Sequence, residues 1–237
     1  MTINDIDKEG LETLNVIEKA NNFNKWMYDT IKPHCKGKVL EIGCGIGNIS
    51  EFFIKDRFDI VLSDLRDSYI EIVKNKFTNK VLKINLVDSN FDDKYKELIG
   101  TFDTVFALNV IEHIKDDIKA IENCKKLLNK NGHLIILVPA FQFLYNNFDI
   151  ELEHFRRYTH KSLRKCLIEN KFVIKKIFSF NLIGIFGWFY SGTILKKKII
   201  PEGQMKLYNK LIFLFKFFDL FVFSKIGLSV VSFSIKK

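Results

Sequence analysis

Between Val39 and Asn48 the chain reads VLEIGCGIGN, with Gly43, Gly45 and Gly47 at every second position after a short apolar run. Glycines spaced in this way let a backbone turn sharply and approach a ligand with no Cβ in between. The helix expected to follow presents unpaired N–H groups at its start. Two ligand classes use such a loop. The dinucleotide fingerprint G-x-G-x-x-G seats a pyrophosphate at the helix N-terminus, but its third glycine falls on Asn48 here. Glu41, two residues before Gly43, attracts an ammonium and repels a phosphate. Asp64 closes the next apolar run, where a carboxylate can accept hydrogen bonds from both hydroxyls of a ribose. The ligand implied is a nucleoside that carries positive charge and no phosphate.

Two further segments carry groups able to move protons or hold anions. His113 follows the run Phe102–Leu108, and in an open parallel sheet the substrate cleft lies at the strand C-termini. EHFRRYT, at 153–159, places His154, Arg156, Arg157 and Tyr158 in one loop. Two arginines can clamp a phosphate or carboxylate in bidentate fashion. His113 and His154 are therefore the candidate bases, and Arg156, Arg157, Tyr158 and Trp188 the candidate substrate side. Structural alternatives stand beside these. Glu112 and His113 could cap a helix, and the arginines could pair with Glu151 and Glu153 to pin the loop. His160 reads as the start of a helix, and His34 and His133 read as structural.

The elements that must position these residues are legible in outline. Apolar runs at 38–42, 58–63, 81–84, 102–108 and 132–138 alternate with helical patterns at 48–55, 69–76 and 118–128. The fifth run is expected to be entered through a turn at Asn131-Gly132. Strands alternating with helices imply a parallel sheet covered on both faces. After a helix near 161–169, a sixth strand is expected at 172–180 and a last one at 229–235. One domain over 1–237 is expected. Its parts are an N-terminal helical cap (1–34), a cofactor-binding core (35–140), a substrate loop and helix (141–171) and an insertion (181–227) dominated by 182–195 and 206–223.

The 237 residues, 47% hydrophobic and 27% charged, exclude a disordered chain, and three prolines exclude a proline-rich linker. Four cysteines with no C-x-x-C pair fit neither a disulfide framework nor a zinc cluster. No metal site is expected, and the compartment is expected to be reducing. The polar start MTINDIDKEGLETL lacks a signal-peptide pattern, so the expectation is cytoplasmic. Residues 1–159 hold 22 basic and 25 acidic side chains, a balance of −3, while 160–237 hold 15 and 3, a balance of +12. That last third is also rich in phenylalanine, and the asymmetry points to an anionic partner. The near-apolar run at 178–195 includes Asn181 and Ser191 and stops at Lys196, short of the about 20 apolar residues of a spanning helix. Residues 206–223, interrupted by Lys210, Lys216 and Asp219, suit an amphipathic surface helix. Two readings follow for the insertion: a lid over the core, or reversible contact with an anionic membrane.

Taken together, Glu41-x-Gly43-x-Gly45-x-Gly47, Asp64, Asn85 before Leu86, and LNVIEHI at 108–114 resemble the motif series of the class I S-adenosylmethionine-dependent methyltransferases of small-molecule type. The resemblance covers residues 35–140. It departs at Asn85, where the family often has Asp. It implies a Rossmann-like α/β fold with a seven-stranded, mostly parallel sheet, helices on both faces and a helical lid insertion. It also implies S-adenosylmethionine as cofactor, with S-adenosylhomocysteine as product. Glu41 and the Gly43–Gly47 backbone, Cys44 included, would hold the methionine part. Asp64 would hold the ribose, and Leu65, Asn85 and Leu86 the adenine. Asn109 would line the sulfonium end through its backbone. Asp64 as an ordinary helix N-cap, and Leu65 and Leu86 as plain core, are the alternatives. EHFRRYT, Gly187-Trp188 and Gly227–Ser229 also resemble a group of bacterial methyltransferases of uncertain substrate.

Methyl transfer from a sulfonium is an in-line displacement, so alignment supplies roughly 7–11 kcal/mol and a base about 10²–10⁴-fold more when a hydroxyl accepts. The expected acceptor is an oxygen or nitrogen of a small anionic or hydrophobic, even lipid-linked, molecule. A nucleic-acid acceptor suits the basic tail. Against it, the [DNS]-P-P-[YF] motif and any recognisable RNA-binding module are missing from the sequence. A non-catalytic cofactor-binding protein at a membrane surface is the remaining reading.

Overall fold

A computed structural model describes residues 7–222 and 224–237. Residues 1–6 of the expected cap, and Phe223 of the run at 206–223, lie outside the described residues.

The chain runs α1 (Lys8–Glu18), α2 (Asn21–Ile31), β1 (Val39–Ile42), α3 (Ser50–Lys55), β2 (Ile60–Asp64), α4 (Asp67–Lys76), β3 (Val81–Lys83), α5 (Phe91–Lys94) and β4 (Phe102–Leu108). It continues with α6 (Asp117–Leu127), β5 (Leu128–Pro139), α7 (Asn147–Glu151), α8 (His160–Glu169), β6 (Phe172–Phe180), α9 (Gly184–Trp188), α10 (Glu202–Lys210), α11 (Ile212–Phe221) and β7 (Ser229–Lys236). Short polar side chains start several helices. Asp7 accepts from Gly10 N at 2.9 Å, Asp116 from Lys119 N at 2.9 Å, and Thr159 with Ser162 closes a capping box on α8.

The seven strands lie in the order β3-β2-β1-β4-β5-β7-β6. β1 to β5 are parallel, and β7 runs antiparallel between β5 and β6. The seven-stranded, mostly parallel sheet is as expected. The central strands are apolar on both faces, as burial under helices on each side demands. Leu134, Ile136 and Val138 of β5 join Ile121, Cys124 and Leu163 beneath α6 and α8. Ile135 and Leu137 of the same strand join Met27, Ile31 and Phe53 beneath α2 and α3. This period-2 division of one strand between two cores fixes its register.

Three local expectations shift. The helix after the glycine loop begins at Ser50, because the turn itself uses Gly47, Asn48 and Ile49. Asn131, with φ 62°, is a bulge inside β5 rather than a turn before it, and the register skips between Phe102 and Thr104 opposite. The run at 206–223 is two helices, broken at Leu211.

Because β1 to β5 are parallel, their C-terminal ends form one edge of the sheet. Pro139 pairs with Ser229, which in turn pairs with Phe180. The insertion after β6 therefore leaves and rejoins the sheet at that same edge.

Candidate active site

Gly43 (φ 68°) and Gly47 (φ 85°) adopt the left-handed conformation that favours glycine, and a Cβ on them would run into Val110 and Phe77. The loop is tied to the next strand by Cys44 N donating to Ser63 O at 2.9 Å and Gly45 N donating to Asp64 Oδ2 at 2.9 Å. Asp64 Oδ1 accepts from Leu65 N (2.7 Å) and Arg66 N (3.0 Å). Asp64 thus holds three backbone amides between β2, the glycine loop and the approach to α4, and its oxygens keep further lone pairs for a ligand. Asp64 is not the N-cap of α4: that position is Arg66, and no side chain caps the helix there.

Glu41 is buried at the end of β1 and accepts from Ser50 Oγ. Burial, reinforced by the Asp64 charge, pushes its carboxyl up to about 7 despite the Ser50 hydroxyl. A cationic amine would restore its charge, as expected of a group that binds the methionine end. Burial pushes the Cys44 thiol up, which leaves it inert as a nucleophile. Asn109 is exposed, with φ 54° at the end of β4, and its N–H donates to Leu137 O at 2.8 Å.

The adenine side differs from expectation. The Asn85 side-chain oxygen accepts from Val87 N at 3.0 Å, an Asx turn. Leu86 is in the core with Phe91 and Tyr95, which favours the packing reading over ligand contact. Leu65 is half-buried beside Asp64. Above the loop lies α1, where Leu14 O accepts from Asn48 Nδ2 at 3.0 Å.

On the acceptor side, the loop at 141–158 folds against the end of β4. Phe155 N donates to Glu112 O at 2.8 Å, and the His113 and His154 rings meet edge to face at 4.5 Å. His154 Nδ1 lies 2.7 Å from Asp149 Oδ1, a contact that assigns the proton to Nδ1 and leaves Nε2 as the acceptor. Asp149 Oδ1 also accepts from Arg157 Nε at 2.8 Å, and its Oδ2 accepts from Asn146 N at 3.0 Å. Burial raises the Asp149 carboxyl, but His154 and Arg157 outweigh it and hold the group below the usual carboxylate range. Asp149 is the residue of this cluster that the sequence does not single out. Its five-residue spacing to His154 matches no motif, and a short helix with an Asn146 capping box brings the two together.

Glu112 does not cap a helix. It is fully buried in a 3₁₀ turn, and neither carboxylate oxygen has a hydrogen-bond partner among the described residues. Burial pushes its carboxyl up to about 7. His113 keeps an exposed edge, yet the protein crowded around it and the His154 ring beside it push its imidazole well below the usual range. Ligand atoms of Glu112, His113 and His154 all lie within 4.8 Å of one another, a metal-capable set where none was expected.

The arginines are committed elsewhere than expected. Arg156 donates to Ile114 O (3.0 Å) and Lys115 O (2.7 Å) and pairs with Asp117 at 3.0 Å. Arg157 is buried on Asp149 and lies 4.8 Å over the Trp188 ring, which packs edge to face on Phe148. The Tyr158 hydroxyl donates to Asp117 at 2.7 Å. The four candidate substrate-side residues hold the loop together, with Asp117 and Asp149 rather than Glu151 and Glu153 as the counter-ions of the arginines. His133 and His34 are structural, His133 Nδ1 lying 2.7 Å from His34 O.

A glycine loop after β1 and acids at the ends of β1 and β2, on a seven-stranded sheet flanked by helices, are the architecture of class I S-adenosylmethionine-dependent methyltransferases. The donor set fits that cofactor: two buried carboxylates and backbone amides around a glycine turn. The family model described as a methyltransferase domain matches residues 18–176, and the chain belongs to that family. A ubiquinone biosynthesis O-methyltransferase of Vibrio parahaemolyticus is 28% identical over 97 residues, 41% of each protein. The protein of the same name from Coxiella burnetii is 32% identical over 100 residues, 42% of each. The matched segments thus span about two-fifths of these curated relatives. A solved S-adenosylmethionine-dependent methyltransferase of Archaeoglobus fulgidus superposes with a TM-score of 0.59, covering 90% of this chain and 94% of that one at 18% identity, a likeness of fold.

Proposed function

We propose that the chain transfers the methyl group of S-adenosylmethionine to an oxygen of a small anionic or lipid-linked acceptor, with His154 as the base. Bound S-adenosylmethionine supplies a methyl group activated on a sulfonium. Glu41 and the Gly43–Gly47 backbone, Cys44 included, would hold its methionine end, Asp64 its ribose, Leu65 and Asn85 its adenine, and Asn109 the approach to the sulfonium. The observation that carries the reading is the Asp149–His154 contact of 2.7 Å at the C-terminal edge of the sheet, beside the His113 ring. A hydroxyl needs a proton acceptor as it attacks. Nε2 of His154 takes that proton, and the Asp149 carboxylate stabilises the imidazolium that forms. His113 lines the pocket as a neutral donor or acceptor. The name of the curated relatives supports oxygen as the accepting atom. We place the enzyme in the cytoplasm, in contact with a membrane surface through its basic C-terminal third. Among the described residues no helix is long and apolar enough to cross a membrane.

The test is calorimetric titration with S-adenosylhomocysteine together with transfer of labelled methyl into organic-extractable small molecules. Wild type binds and transfers; His154→Ala binds equally well but transfers about 10²–10⁴-fold more slowly. Equal transfer by both proteins would remove His154 from the chemistry. A second reading rests on the unpartnered Glu112, with the Glu112–His113–His154 set holding a divalent cation; activity that survives exhaustive chelation would exclude it.

A further inference from the structure

Helix α11 is apolar on its outer side as well as on the inner one, where Ile212 is buried and Phe215 packs against the core. Phe213, Phe217, Leu220 and Phe221 are 68%, 60%, 71% and 71% exposed. Their spacing of i, i+4, i+7 and i+8 makes them one stripe along the helix. The acid of the same helix points inward: Asp219 is buried and accepts from Asn181 N (2.6 Å) and Leu182 N (2.7 Å). A contiguous apolar stripe of this kind marks an interaction surface. It lies outside the matched family segment at 18–176.

The charge around the stripe selects the partner. Asn22, Lys25, Lys210, Ile212, Phe213 and Lys216 line one shallow cleft at the start of α11. Two of its three ammonium groups share one acid, Asp29, which pairs with Lys25 at 2.7 Å and Lys216 at 3.9 Å. From Gly203 to Lys237 the only acid is Asp219, already buried, against six lysines. Exposed phenylalanines flanked by lysines that outnumber their acid match the two layers of an anionic bilayer surface, acyl chains beneath phosphate headgroups. A second copy of the chain across a two-fold axis would set lysine against lysine. Nucleic acid would answer the lysines and leave the phenylalanine stripe in water.

We infer that α11 docks the protein on an anionic lipid bilayer, with Phe213, Phe217, Leu220 and Phe221 in the headgroup–acyl boundary and Lys25, Lys210 and Lys216 on lipid phosphates. This deepens, and rests on, the reading of a membrane-surface methyltransferase given above. The insertion leaves and rejoins the sheet at the edge that carries the site. Its α9 touches the site directly, through Trp188 under Arg157 and through Asn146 Nδ2 donating to Trp188 O at 3.2 Å. Docking on α11 therefore ties the membrane to the substrate loop through the insertion that carries both contacts, where a lipid-linked acceptor would enter.

The experiment is co-sedimentation of the full chain with phosphatidylcholine vesicles, with and without phosphatidylglycerol. Phe217→Ser/Phe221→Ser, Lys210→Glu/Lys216→Glu and wild type are compared, each also titrated with S-adenosylhomocysteine and run in sedimentation velocity without lipid. The expected result is partition onto the anionic vesicles only, weakened about tenfold or more by either double substitution, with ligand affinity unchanged. The inference is overturned if wild type stays in the supernatant or if the phenylalanine variant partitions like wild type. It is equally overturned if the chain self-associates through this stripe in the absence of lipid. Loss of S-adenosylhomocysteine binding in wild type would instead strike the methyltransferase reading, whatever the vesicles show.

Discussion

Asp64 and Asp219 are both buried carboxylates spent on backbone amides, three for Asp64 and two for Asp219. Burial raises both. At the glycine loop the acid faces the sheet edge where a polar ligand would lie, and the apolar side chains around it turn inward. In the insertion the acid turns inward and the phenylalanines turn out. The same chemistry, a carboxylate holding backbone amides, ties the glycine loop to β2 in one place and anchors an exposed apolar helix in the other. An acid within an apolar run therefore does not mark the solvent face.

Substitutions can press on that difference, beginning with the largest effect. Arg157→Ala leaves Asp149 a buried, half-compensated charge and should cost about 3–5 kcal/mol in denaturant unfolding, whereas losing the exposed Lys216–Asp29 pair should cost about 0–1 kcal/mol. Asp64→Ala should weaken S-adenosylhomocysteine binding about tenfold or more by calorimetry, about 1.4 kcal/mol. Asp219→Ala should lower stability by about 1–3 kcal/mol through its orphaned amides, with ligand affinity unchanged. Ligand loss in Asp219→Ala, or none in Asp64→Ala, would erase the distinction between the two acids.

A pH experiment sharpens it further. Glu41 is raised from 4.5 to about 7 in the folded chain. A raised carboxyl binds its proton more tightly when folded, so its stabilising contribution is complete below pH 4.5 and is lost as pH climbs to about 7. Glu112, raised to about 7 by burial, acts in the same sense. Cofactor affinity should move the other way, rising over that interval as Glu41 ionises to meet the ligand's amine, and Glu41→Gln should flatten it. The smallest effect is expected at Phe217→Ser, where unfolding should shift by no more than about 0.5 kcal/mol because the ring is already in water.

The sheet and its glycine loop are legible in the residues because physics leaves few alternatives there. Apolar runs buried on both faces, glycines with positive φ and acids at strand ends are local signatures. The arginines of EHFRRYT suit an anion clamp or loop-pinning ion pairs alike, because their type says what they can bind but not what already binds them. Asp117 and Asp149, their counter-ions, lie 39 and 8 residues before Arg156 and Arg157, and only the folded loop brings them within 3.0 and 2.8 Å. Asp149 escaped notice for the same reason. The run at 206–223 reads as one amphipathic helix, but the break at Leu211 and the contacts of Asp219 with Asn181 and Leu182, at the far end of the insertion, are not local signals.

The position of β7 has a consequence for how the molecule comes to exist. The strand at 229–236 is the last of the seven to be synthesised, yet it lies between β5 and β6, and β6 touches the sheet through it. Until those residues emerge, β5 presents an unpaired edge, and β6 and the 181–227 insertion have no sheet to join. The site at that edge is thus completed late, by contacts distant in sequence that favour slow closure. A growing chain can build its cofactor loop before it can close the wall beside it.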